Sequence, residues 1–209
     1  MKSKFITIEG GEGVGKTTNL SLIQSWLNTH SIDHVVTREP GGTAYGEKIR
    51  ALLLEHQAEA LDGMAELLLI FAARAQHLAR VIRPALEEGR WVLCDRFTDA
   101  TYAYQGSGRK LGRERVAALE TLVQGELRPD LTFILDVDPE VGMTRAGARG
   151  ELDRFEREQM VFFRTVRETY LAQADACPQR YAIIDAAQPL EQVQKAILTV
   201  LDQRFGAMQ

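Results

Sequence analysis

Phe5-Ile6-Thr7-Ile8-Glu9-Gly10-Gly11-Glu12-Gly13-Val14-Gly15-Lys16-Thr17-Thr18 decides how the rest of the chain is read. The stretch Phe5 to Glu9 is a β-branched run that stops at glycines, which reads as a strand entering a tight loop. Gly10 to Thr17 match the pattern GxxxxGK(S/T), and a helix is expected next because Leu20, Ile23 and Leu27 recur at helical spacing. Strand, glycine loop and amphipathic helix in that order are the context a phosphate-binding loop requires. The glycines let the backbone curl so that successive N–H groups point at phosphate oxygens, and the helix aims the positive end of its dipole at the same place. Gly10, Gly11, Glu12, Gly13, Val14, Gly15, Lys16, Thr17 and Thr18 are therefore the expected nucleotide-binding residues. Lys16 should reach the β- and γ-phosphates, and Thr17 should offer its hydroxyl to Mg²⁺.

Outward from this loop, the chain turns through Asn28-Thr29-His30-Ser31 into a second strand, His34-Val35-Val36-Thr37. Helix is expected near 44–55 and over a long apolar region near 64–88, followed by a buried strand over Arg90–Asp95. More helix is expected over 98–125, then a strand over Leu131–Asp136, helices near 140–147 and 155–174, a strand over Tyr181–Asp185 and a last helix near 190–204. Strands that alternate with helices this regularly imply an α/β fold: a five-stranded parallel sheet with helices on both faces, because parallel neighbours need crossover connections. Ligands are expected at the carboxyl ends of the strands. With no internal repeat, low-complexity tract or Pro/Gly/Ser linker, residues 1–209 read as a single domain.

Composition narrows the function. The 209 residues are 45% apolar, with 25 Lys+Arg against 29 Asp+Glu and a net charge of −4, so no overall basic surface is available for long nucleic acid. Any polyanion must meet a local cluster of Arg and Lys. The longest apolar run, Leu67 to Ala73, is far short of the ~20 residues of a membrane span, and Glu9 interrupts the N-terminal segment before a signal-peptide core could form. Neither a membrane partner nor a location other than the cytoplasm is expected. Cys94 and Cys177 have no spacing that suggests a metal or a disulfide scaffold. Asn19 and Asn28 are the only asparagines and neither belongs to an NKxD stretch that would read guanine. An Asp-Glu pair ending an apolar strand, as many motor ATPases use, is also absent from the sequence.

Further segments fall into one pattern. Thr37-Arg38-Glu39-Pro40-Gly41-Gly42-Thr43 follows the second strand, Asp95-Arg96-Phe97 ends the third, and Ala103-Tyr104-Gln105-Gly106 comes just after it. With Glu9-Gly10-Gly11-Glu12-Gly13, these make the chain resemble the bacterial thymidylate kinases over essentially its whole length. The resemblance implies a P-loop nucleoside monophosphate kinase-like fold, transfer of the γ-phosphoryl group of ATP to dTMP to give dTDP and ADP in dTTP biosynthesis, Mg²⁺ as cofactor, and a homodimer.

The residue chemistry suits that expectation. A kinase that joins two polyanions needs cations at the acceptor phosphate and around the transferring group. Arg38, Arg50 and Arg96 match family positions that hold the acceptor phosphate, and the planar fork of Arg suits bidentate phosphate contacts. Asp95 ends an apolar run, a costly place for a carboxylate unless an ion or donor meets it, which makes it a candidate Mg²⁺ partner beside Thr17. Glu12 matches the family acid that contacts the 3′-hydroxyl of the acceptor sugar. Phe71 and Arg74 are three apart on one helix face, offering a ring for stacking and a guanidinium for a base carbonyl, with Ile70 as the neighbouring alternative to Phe71. Thr101 and Gln105 match polar positions facing the base, and Tyr104 matches an aromatic that crowds the sugar 2′ position. Residues 144–155 place Arg145, Arg149 and Arg154 around two glycines and read as a closing lid. Some family members carry Arg directly after the acid of the phosphate loop, where this chain has Gly13. The chain thus resembles the subgroup whose catalytic Arg comes from the lid, with Arg149 the first choice and Arg145 and Arg154 behind it. The expected catalytic set is Lys16, Arg96 and these lid arginines. A kinase for a different acceptor, or a switch that binds ATP without turnover, would share the phosphate loop.

Overall fold

A computed structural model of the chain describes residues 3–55, 59–148, 153–156 and 158–206. Five strands, β1 (Phe5–Gly10), β2 (His34–Arg38), β3 (Trp91–Asp95), β4 (Leu131–Asp136) and β5 (Tyr181–Asp185), form one sheet in the order β2-β3-β1-β4-β5. Every pairing is parallel, with Thr7 of the central strand opposite Cys94 on one side and Thr132 on the other. β1 is buried along its whole length, as a central strand covered on both faces must be.

The two-residue period of the strands divides the core. Ile6, Ile8, Leu93, Phe133 and Leu135 pack against α1 (Lys16–Thr29), through Ile23, Trp26 and Leu27, and against α9 (Leu190–Phe205), through Val193, Ile197 and Leu201. On the opposite face Phe5, Val92 and Cys94 meet Leu78, Ile82 and Ala85. Ile134 there meets α8 (Met160–Ala176) through Phe163, Val166 and Tyr170. Thr7 and Glu9 share that second face and are fully buried, and Thr7 pairs its hydroxyl with that of Thr132 at 2.8 Å. Polar side chains thus run down the middle of the sheet toward its carboxyl edge.

The remaining helices are α2 (Ala44–Leu54), α3 (Gly63–His77), α4 (Arg83–Glu87), α5 (Thr98–Thr101), α6 (Arg113–Gln124) and α7 (Pro139–Gly147). Three of the helical regions expected from periodicity differ in the structure. The apolar region near 64–88 is α3 and α4 joined by a π-helical turn, Leu78–Ile82, just ahead of Pro84, whose missing N–H interrupts the regular ladder. The helix expected over 98–125 is broken into α5, a π-helical segment Tyr102–Gly108, and α6. Gly112 separates the last two at φ +88°, outside the right-handed helical region. The helix expected from 155 begins only at Met160, because the Asp153 carboxylate accepts from the backbone N–H groups of Phe155 and Glu156 and holds 153–156 in a turn.

Candidate active site

Because all strands run the same way, their carboxyl ends share one edge, and a cleft of about 630 Å³ opens there. The loop from Gly10 to Gly15 forms one end. Lys16 is the first residue of α1, and its Nζ donates to the carbonyls of Gly11 at 2.7 Å and Gly10 at 3.3 Å, bracing the loop from inside. Burial, followed by the nearby Arg96 guanidinium, pulls the Lys16 pKa below its usual value, against the pull of Glu12, Asp95 and Glu9. Thr17 and Thr18 are exposed on the cleft wall, while Val14 turns inward to the core. Gly13 sits at φ +66°, and a Cβ there would collide with the carbonyl oxygen of Gly142 on α7. Close backbone packing therefore leaves no room for a side chain at position 13.

The middle of the cleft is built by the end of β3. Arg96 adopts φ +66°, a left-handed conformation costing roughly 1–3 kcal/mol for a residue with a side chain, and tertiary contacts hold it there. Its backbone N–H donates to Ile8 O at 3.0 Å. Its guanidinium donates to Glu12 Oε1 at 2.7 Å and to the Tyr170 hydroxyl at 3.3 Å, and lies 4.7 Å from the Tyr104 ring centre. Tyr104 donates to the same Glu12 oxygen at 2.7 Å. Beneath this group, fully buried Glu9 accepts from Phe97 N–H at 2.7 Å and from the Tyr170 hydroxyl at 2.8 Å. Burial, with the nearby Asp99 carboxylate, pushes the Glu9 pKa up to about 8.

Asp95 lines the cleft, and its Oδ1 is buried without a hydrogen-bond partner among the described residues. A buried orphan acceptor that lines the same cleft as the exposed Thr17 offers, with the Thr17 hydroxyl, oxygen donors of the kind a hard cation such as Mg²⁺ takes. Arg38 and Arg50 reach the same region from β2 and α2. Arg38 pairs with Glu47 at 2.7 Å on the exposed rim, and Arg50 donates to Pro40 O at 3.1 Å, with burial and the Arg38 charge lowering its pKa.

The far end is a buried polar network. Arg74 on α3, 1% exposed, donates through Nε to Glu39 at 2.7 Å and through Nη2 to Thr101 at 2.9 Å. Its Nη1 is buried without a partner among the described residues. Glu39 also bonds His77 Nδ1 at 2.9 Å, while His77 Nε2 meets the Thr37 hydroxyl at 2.6 Å. Burial would raise the Glu39 pKa, but Arg74 and His77 hold it below the ordinary carboxylate value. Gln105 lines the cleft and donates to Glu66 at 2.7 Å. Thr101 therefore meets Arg74 in addition to lining the cleft. Phe71, expected as the stacking ring, packs instead among Leu67, Tyr102 and Val116 and lies 4.7 Å under the Arg74 guanidinium. Helical rotation turns Ile70, the alternative position, onto the cleft wall.

The lid arginines separate. Arg145 lines the cleft and donates to Ala186 O at 2.9 Å. Arg154 is drawn to the base end, where it donates to Glu66 at 2.6 Å and to Leu53 O at 2.7 Å. Arg149, the first choice for the catalytic arginine, lies outside the described residues, as do 150–152 of the expected lid. Sequence reasoning did not single out Glu9, Glu39, Glu66, His77, Arg109 or Tyr170, although they hold the selected residues in place.

Comparison with known proteins places the whole chain in one family. A family model described as thymidylate kinase matches residues 8–197. The chain is 61% identical over 197 residues to a thymidylate kinase of Pseudomonas putida strain W619, covering 94% of this chain and 95% of that protein. It is 55% identical over 202 residues to a thymidylate kinase of Teredinibacter turnerae, covering 97% and 98%. The crystal structure of thymidylate kinase from Ehrlichia chaffeensis superposes with a TM-score of 0.80 at 34% identity, covering 96% of this chain and all of that one.

Proposed function

The chain belongs to the thymidylate kinase family and transfers the γ-phosphoryl group of ATP to dTMP, giving dTDP and ADP in dTTP biosynthesis; we propose that the residues around the cleft divide this work as follows. The observation that carries the assignment is one cleft with a phosphate loop at one end, Arg38, Arg50 and Arg96 in the middle, and a buried donor and acceptor at the other. Two polyanions can meet there only if cations offset both.

Gly10 to Thr18 cradle the ATP phosphates, with Lys16 on the β- and γ-phosphates. Arg38, Arg50 and Arg96 hold the dTMP phosphate so that one of its oxygens faces the γ-phosphorus. That oxygen forms the new P–O bond as the bond to the β-phosphate oxygen breaks, and the leaving charge stays on ADP. A phosphate monoester needs no general base at neutral pH, so positioning and charge neutralisation suffice. The Thr17 hydroxyl and the Asp95 carboxylate are the groups that would hold Mg²⁺, which would supply further positive charge to offset that of the phosphates. In this reading the segment about 144–155 serves as a lid that excludes water, with Arg149 the first choice for the arginine at the transferring group and Arg145 the alternative, since Arg154 is held by Glu66. Glu12 receives the 3′-hydroxyl, and Tyr104, fixed by its bond to Glu12, crowds the 2′ position and favours deoxyribose. Arg74 and Gln105 read the base over Ile70.

Residues 1–209 act as one kinase domain in the cytoplasm, where the nucleotides are. Among the described residues no helix is long and apolar enough to cross a membrane. Leu52, Leu68 and Leu122 are exposed on α2, α3 and α6, which pack side by side, and burying them between two copies supports a homodimer. Steady-state ADP formation with dTMP, dUMP, UMP, CMP, AMP and GMP tests the assignment. A marked preference for dTMP that Lys16→Ala abolishes is expected, and equal use of all acceptors would defeat it.

A further inference from the structure

The two ends of the Gln105 amide have opposite hydrogen-bond character, so which end faces the cleft decides which base edge it accepts. The structure contains the group that makes this choice. Gln105 Nε2 donates to Oε1 of Glu66, a residue in the first turn of α3 that is completely buried. The same carboxylate accepts from Arg109 Nε at 3.3 Å and from Arg154 Nη2 at 2.6 Å. A carboxylate held between two guanidiniums offers only acceptors. Turning the amide over would set its oxygen against a carboxylate oxygen in a place without water. Gln105 Oε1 is thus the end left for the cleft that Gln105 lines. Arg74 carries no acceptor, and its buried Nη1 is left without a described partner once Glu39 and Thr101 have taken Nε and Nη2.

We propose that Glu66 is a positioning residue that sets base selectivity by locking the Gln105 amide, so that the cleft presents one acceptor beside one donor. A 4-keto pyrimidine, with an N3–H donor and an O4 acceptor, matches that pair at both points. A 4-amino pyrimidine, with a bare N3 and an amino group at C4, opposes it at both. The inference rests on the dTMP reading above and adds the origin of its preference over a cytosine-type base.

The test compares dTMP with 5-methyl-dCMP, which share the methyl group, sugar and phosphate, in the unmodified enzyme and in Glu66→Gln, with ATP and Mg²⁺ present. An amide at position 66 can meet Gln105 in either orientation, so the preference for dTMP over 5-methyl-dCMP in kcat/KM should shrink by about tenfold or more, mainly through KM. The KM for ATP should stay within about twofold, because the phosphate loop is untouched. An unchanged preference, with or without an equal loss for both acceptors, overturns the proposal. Should the variant fail to fold, the unmodified protein answers by NMR. The Gln105 side-chain amide protons, identified by their absence from Gln105→Met, should show no contact to the base when dTMP binds, since they stay on Glu66. Contacts from those protons to the base would overturn the proposal. Absence of dTMP-dependent ADP formation by the unmodified enzyme would instead defeat the acceptor reading.

Discussion

Two glycines of the phosphate loop look alike in sequence, yet Gly13 and Gly11 should respond very differently to a single added methyl group. At Gly13 the backbone is left-handed at φ +66°, and the new Cβ would overlap the carbonyl oxygen of Gly142. The conformation costs an L residue about 1–2 kcal/mol, and forcing a methyl into packed backbone costs about 1–3 kcal/mol more. Gly13→Ala should therefore lose about 2–5 kcal/mol of a total stability on the order of 5–15 kcal/mol. For a domain of this size each kcal/mol moves Tm by about 2–4 °C, so a fall of roughly 5–20 °C is expected in differential scanning fluorimetry. The overlap can be relieved only by moving the loop away from α7, and a displacement of about 1 Å at the γ-phosphate costs on the order of 100-fold in kcat. Gly11→Ala is the control: nothing lies within 4 Å of its added Cβ, and its Tm should stay within about 2 °C. A Gly13→Ala protein with unmodified Tm and turnover would refute the packing of the loop on α7.

Two further outcomes test other parts of the site. Glu9 has a folded-state pKa raised to about 8, by burial and then by Asp99. Between about pH 5 and about pH 8 the folded protein therefore binds a proton that the unfolded chain has released, and this group's contribution to stability falls as pH rises. Glu9→Gln removes that dependence, so its Tm relative to the unmodified protein should climb across the window; a relative Tm that stays level or declines would count against a protonated Glu9. In the lid, Arg149→Ala should lower kcat by about 100-fold with little change in KM for dTMP, whereas Arg154→Ala, which loses its bonds to Glu66 and Leu53, should mainly raise that KM. The reverse pattern in steady-state kinetics would exchange their roles.

What the sequence concealed has a common physical form. Local order was legible because strand, glycine loop and helix follow one another within a few residues, and the alternation of periods two and 3.6 gives the parallel sheet. Helix ends were not legible where a single side chain decides them, as Asp153 does by capping 153–156. In the site, many of the residues that line the cleft were legible from strand ends and motifs, but their supports were not. The criterion that selected Asp95, an acid that apolar neighbours leave no cheap place for, also fits Glu9 after Ile8 and Glu66 before Leu67. The structure shows why the criterion could not go further alone. Glu39, Glu66 and Glu9 are each buried against partners distant in sequence: Arg74 and His77; Gln105, Arg109 and Arg154; and Tyr170. An acid whose partner is 35 or 161 positions away is recognised as costly from sequence but not as paired. The choice between Phe71 and Ile70 stayed open for the related reason that one helical step exchanges a cleft-facing position for a core-facing one, and an apolar run on both sides leaves the period without a polar face to anchor it. Under the proposal for Glu66, selectivity in this cleft depends on a group that need not touch the nucleotide, because the Glu66 carboxylate fixes which end of the Gln105 amide is left for the cleft.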